Sequence, residues 1–130
     1  MALNDPLANV LASIVNYENT GKKEIEVKIS SKLIKKVLDI MKSHLYIGDY
    51  TPLQTSRGEF LRINLLGNIN RCGVIKPRFS VKKDNYEKFE KRFLPARGFG
   101  FLIVSTPKGL MIHEEAKEKK IGGRLIAYVY

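Results

Sequence analysis

Five consecutive residues near the end of the chain, Ser105-Thr106-Pro107-Lys108-Gly109, combine side chains that suit a polyanion. The hydroxyls of Ser105 and Thr106 can each donate and accept, a match for 2′-hydroxyls, phosphates and base edges. Pro107 offers a rigid apolar face to a displaced base. Lys108 supplies a charge drawn to phosphate, and Gly109 permits close backbone approach. The same residues also make an ordinary polar turn between two strands, the reading that composition alone favours. Gly122-Gly123-Arg124 poses a similar choice. Two glycines can end a helix, or they can leave backbone amides open beside a cation and so form an anion site.

Other reactive side chains carry less. Lys32, Lys35 and Lys36 fall on the outward side of an amphipathic helix, where a solvated face explains them, and Lys82-Lys83 and Lys119-Lys120 are equally ambiguous. His113 with Glu114 or Glu115 has the makings of acid–base chemistry. Nothing places the three beside a nucleophile or an oxyanion hole, so the two glutamates read as helix-start acids and no enzyme is expected. Neither a P-loop nor a dinucleotide glycine pattern occurs. Cys72 is the single cysteine, which rules out an internal disulfide. A zinc site would need it together with His44 and His113, without any ligand spacing. Cys72 therefore reads as a small core residue, and neither metal nor cofactor is expected.

Arg97-Gly98-Phe99-Gly100-Phe101 imitates the longer signature strand of the RNA-recognition-motif fold, and Leu45 to Tyr50 imitates the shorter one. The third stacking position falls on Val104, which has no aromatic face. That fold also needs a helix directly after its first strand, whereas Thr51 to Leu66 reads as turn plus strand. Gly98 and Gly100 are instead expected to make a turn, with Phe99 and Phe101 in the core. A stand-alone module for single-stranded RNA is kept as the alternative function.

Charge narrows the partner. The chain has 23 Lys and Arg against 13 Asp and Glu, a formal charge of +10. Residues 1 to 20 contain no Lys or Arg and two acids, unlike an Arg-rich presequence. Nine basic residues stand between Arg71 and Gly100 against three acids. A field of that sign draws in nucleic acid, because neutralised phosphates release condensed counterions. No apolar run approaches the roughly 18 residues of a membrane span. A cytoplasmic protein without a membrane partner is expected.

The elements that must position these groups follow from periodicity. Asp5 and Pro6 open a helix with Leu7, Val10, Leu11 and Ile14 on one face, stopped by Asn19 and Gly21. Ile25, Val27 and Ile29 alternate as a strand. Ser30 or Ser31 caps a second helix that buries Leu33, Ile34, Val37, Leu38 and Met41. Strands near Leu45 to Tyr50 and Glu59 to Leu66 flank a polar turn from Thr51 to Gly58. Beyond Gly67 the reading is a short helix from Asp84 to Phe93, a strand from Phe99 to Val104, and a turn at Ser105 to Gly109. A short strand, a helix around His113 to Lys119 that Gly122 and Gly123 end, and a strand from Arg124 to Tyr130 complete it. The fold class expected is α+β: an αβαββ lobe over 1–70 and a mainly antiparallel β lobe with short helices over 71–130.

Nearly the whole chain resembles the S-eight family of small-subunit ribosomal proteins, called S-fifteen-a in eukaryotes. NDPLANVLASIVN is similar to its first helix, ISSKL to its second helix entry, and KPRFSV to the basic crossing between lobes. The tail is most specific: G-x-x-x-x-S-T-P-K-G-L-M followed by GGRLIAYVY resembles the family's closing signature. The resemblance implies a structural ribosomal component, monomeric before assembly, that binds the central domain of small-subunit ribosomal RNA early and helps organise the platform beside neighbouring ribosomal proteins. By motif it implies contacts from Ser105, Thr106, Pro107, Lys108 and Gly109, with Gly123 and Arg124 close by and Lys32, Lys76 and Arg78 on flanking phosphates. Two departures stand out. Bacterial relatives usually carry Glu where Arg124 stands, and Asp84 to Phe93 looks like an insertion of the archaeal and eukaryotic branch.

Overall fold

The computed structural model describes residues 6–28, 31–96 and 98–130; the expected roles of Asp5, Ile29, Ser30 and Arg97 lie outside them. The chain divides into two units, residues 1–70 and 71–130. The first contains α1 (Pro6–Asn19), β1 (Glu24–Lys28), α2 (Lys32–Ser43), β2 (Ile47–Thr55) and β3 (Gly58–Leu65). The second contains β4 (Cys72–Val74), β5 (Ser80–Val81), α3 (Tyr86–Phe93), β6 (Phe101–Thr106), β7 (Gly109–Ile112), α4 (His113–Glu118) and β8 (Gly123–Val129). Both units pair their strands antiparallel, an α+β fold.

In the first unit, α1 buries Leu7, Val10, Leu11 and Ile14, the residues its 3.6 period selects. Ser31 caps α2 by accepting a hydrogen bond from the Ile34 amide at 3.4 Å. Ile34, Val37, Leu38 and Met41 are buried beneath it, and Leu33 only partly. The sheet order is β1-β3-β2. β2 differs from expectation at both ends. Leu45 does not start it but closes α2, at a positive φ of 61° that helix ends usually give to glycine. Its amide bonds Lys42 O and that of Tyr46 bonds Met41 O, satisfying the last helical carbonyls. At the other end β2 runs through Pro52 to Thr55, where a turn was expected. An edge strand tolerates a proline, since half its backbone donors face away from the sheet.

The second unit is built on β8, in the strand order β4-β8-β6-β7 with β5 also on β8. β4 and β5, three and two residues long, carry too little pattern to be read from sequence. Ile75, Val81, Tyr86, Phe89, Leu94, Leu102, Val104, Met111, Ala116 and Leu125 form its core. Cys72 is buried, as expected. His113 is also buried. Its Nδ1 accepts from the Leu102 amide at 3.0 Å, and its Nε2 lies 2.7 Å from Glu90 Oε1. These partners place the proton on Nε2. Glu90 also bonds Lys117 at 3.0 Å, so α3 is fastened to α4.

Two further expectations need correction. Phe101 is core at 3% exposure, but Phe99 is 51% exposed. Gly98 and Gly100 both take positive φ around it and turn its side chain out. Nor do Gly122 and Gly123 end α4. Lys120 does so at φ 56°, with the Ile121 amide reaching back to Ala116 O. The glycines serve strand approach instead. A Cβ on Gly122 would stand 2.3 Å from Val81 O, and one on Gly123 2.2 Å from Ser105 O.

Candidate nucleic-acid interface

The strands β6 and β7 pair up to Thr106 and Gly109, leaving only Pro107 and Lys108 in the turn. The Thr106 hydroxyl donates to Gly109 O at 2.7 Å and accepts from the Lys108 amide at 3.1 Å. Its one donor is thus used inside the hairpin, and Thr106 is buried at 8% exposure. Gly109 holds φ 113°, which a side chain would strain. The result is a braced two-residue tip that exposes Pro107, Lys108 and Gly109.

The first unit contains the same device. In the β2–β3 hairpin Thr55 pairs with Gly58, donates to Gly58 O at 3.1 Å and accepts from the Arg57 amide at 3.1 Å. Gly58 sits at φ 119°. A hydroxyl wired identically in both hairpins is a turn brace in each, whatever the exposed residues touch.

Below the second tip, pairing builds a row. Ser105 stands opposite Leu110 on one side and Arg124 on the other, and Arg124 stands opposite Ser80. Directly paired residues share a sheet face, so two hydroxyls flank Arg124. A bulge on β8 sets this register, since Val104 pairs with Leu125 while Ile103 pairs with Ala127. Ser80 and Arg124 are exposed, Ser105 partly buried. Ser80 was not singled out from the sequence, where no spacing relates it to Ser105.

The remaining candidates are distributed more widely. Lys76 and Arg78 are exposed on the loop joining β4 to β5, Arg78 two residues before Ser80. Gly123 brings β8 against Ser105 and acts as a spacer. Lys32 opens α2 in the first unit and is exposed. Many other cations are paired, as Lys42 with Asp49, Arg62 with Glu26 and Lys119 with Glu115. Among the described residues no ion pair involves Arg78, Lys108 or Arg124. Their charge is available to an outside anion.

Fold and charge together define a class: a basic α+β protein of two units whose stiff hairpin tip and adjoining cationic row suit a phosphate-rich partner. A family model described as ribosomal protein S8 matches residues 5–130. The chain therefore belongs to the ribosomal protein S8 family: it is a small-subunit ribosomal protein, it binds ribosomal RNA, and the family is structural rather than enzymatic.

Proposed function

We propose that this chain binds the central domain of small-subunit ribosomal RNA directly, as a monomer and early in assembly, and helps to organise the platform. The RNA-binding unit in this reading is residues 71–130. Pro107, Lys108 and Gly109 meet the RNA at the tip of the β6–β7 hairpin, and Ser105 and Arg124 meet it along the row beneath. Thr106 and Gly123 shape that surface from within, while Lys76, Arg78 and Lys32 take flanking phosphates. One observation carries the reading most: a tip locked by the Thr106 hydroxyl presents Lys108 without a counter-charge among the described residues. A rigid cationic bend loses little entropy on docking to folded RNA.

The test is a filter-binding titration of the protein against a central-domain fragment and an unrelated hairpin at matched salt. Specific preference for the fragment is the expected result. Equal affinity for both RNAs would leave only a general polyanion binder and refute the specific role.

A further inference from the structure

At the opposite end of β8 from Arg124, roughly 13–20 Å along the strand, a row of aromatic rings comes to the surface. Tyr128 and Tyr130 alternate along the chain and face the same way, and Phe93 at the end of α3 lies beside them. The Phe93 and Tyr128 centroids are 5.8 Å apart with planes 21° from parallel, and those of Tyr128 and Tyr130 are 6.2 Å apart at 25°. Arg92 lies 5.0 Å from the Phe79 centroid and 5.3 Å from that of Phe93. The row is thus Phe79, Arg92, Phe93, Tyr128 and Tyr130, each ring partly exposed and Arg92 exposed. Arg71 stands beside Tyr130, the two exchanging both backbone hydrogen bonds.

The interior is filled by Leu102, Val104, Leu125 and their neighbours; the four rings pack against it and remain partly exposed. Gly73, opposite Tyr128 on β4, puts no side chain over the ring, which lies within 3.0–3.2 Å of where a Cβ would be. The Tyr86 hydroxyl is bonded inside the protein to Ile121 O, but those of Tyr128 and Tyr130 make no bond among the described residues. The acids of α3 are turned to other partners: Glu87 to Lys91, Glu90 to His113 and Lys117. Neither Arg71 nor Arg92 makes an ion pair among the described residues.

We propose that this row is a second RNA-contact surface, which takes the unpaired bases of a single-stranded segment on Phe93, Tyr128 and Tyr130 and its phosphates on Arg71 and Arg92. A base can join a file of rings that already stack on one another, regardless of sequence, and an arginine already lying on rings adds cation–π attraction and charge. The chemistry differs from that of the β6–β7 tip, and so does the RNA it selects: unpaired bases here, a folded backbone there.

The protein has six tyrosines and no tryptophan, so its tyrosine emission reports on ring stacking. The experiment titrates the full chain with an unstructured oligouridylate and with an abasic ribose-phosphate oligomer of equal length. The oligouridylate is expected to quench the emission and to bind roughly tenfold more tightly than the abasic strand. Arg92→Gln, at an exposed site, and Tyr130→Leu should each weaken oligouridylate binding by roughly tenfold. Tyr128→Phe keeps its ring and should change little. Lys108→Ala should leave oligouridylate binding intact while weakening the folded fragment. Equal binding of the abasic strand overturns the proposal, as does unchanged affinity in Arg92→Gln and Tyr130→Leu with melting preserved. Should oligouridylate bind as expected while the folded fragment shows no preference, the hairpin reading fails and this one stands.

Discussion

Thr106, expected from the sequence to touch RNA, also has a part inside the fold. Its hydroxyl was attractive as an RNA reader, yet both hydrogen bonds go to its own turn, as they do at Thr55. Each such bond contributes about 1 kcal/mol. Thr55→Ala and Thr106→Ala should therefore destabilise the protein by similar amounts in denaturant melts. Only Thr106→Ala is expected to weaken the folded RNA fragment, and without altering the salt dependence, because no charge is removed. Equal RNA affinity in both variants would detach the tip from binding. His113 carries a different expectation. Burial holds its pKa below the usual 6.5, outweighing the pull of Glu90 and Glu114, and Lys117 adds to the lowering. The unfolded chain then takes up a proton near pH 6.5 that the native state still refuses. This contribution to stability is fully present above 6.5 and is lost as pH falls from there through the lower folded value. Thermal midpoints measured above and below 6.5 should show that decline, and His113→Gln should flatten it while its amide keeps a donor for Glu90. Parallel profiles would mean that other groups set the acid limit.

Among the elements, α1 and α2 were legible because a long apolar period names its own buried face. The strands were harder, and the reasons are local. Pro52 reads as a turn until the sheet order places β2 at an edge. β4 and β5 exist only because β8 pairs with them, so nothing in their few residues announces a strand. The row of Ser80, Arg124 and Ser105 depends on a bulge in β8, and register across three strands is not a property of spacing. Gly122 and Gly123 misled for a related reason: glycine marks helix ends and close strand approach alike. Gly123→Ala should distinguish the two uses. A Cβ 2.2 Å from Ser105 O must push β8 from β6, at a cost of about 2 kcal/mol from overpacking, and RNA binding should fall with it. A helix-end glycine in open space would show no such clash. Leu45→Gly tests the reverse case. A leucine in the left-handed region, 68% exposed, gives up about 1 kcal/mol that glycine would restore, so this variant should melt higher. An unchanged or lower midpoint would show that Leu45 packs more usefully than its exposure implies.

On the scale of the molecule, charge rather than shape separates the two units. Residues 71–130 hold fourteen Lys and Arg against six Asp and Glu, whereas residues 1–70 hold nine against seven. Eight of the ten net charges thus belong to the second unit. Much of this was legible without coordinates, because a count along the chain already shows the basic residues crowding in after Arg71. What the count cannot tell is which cations are spent on internal acids, and pairing decides that: Lys117 is bonded to Glu90, Lys108 to no acid among the described residues. Binding to RNA releases one counterion for each phosphate that a cation neutralises, so the slope of log affinity against log salt counts those cations. Replacing Lys108 and Arg124 by Gln should lower that slope by about 2 for the folded fragment. Replacing Lys35 and Lys36, exposed on α2, removes the same formal charge from the first unit and should leave the slope nearly unchanged. The comparison is made at fixed net charge, so a general field effect would move both double variants alike. If they do move alike, the protein attracts RNA through its total charge and the hairpin tip has no special place in binding.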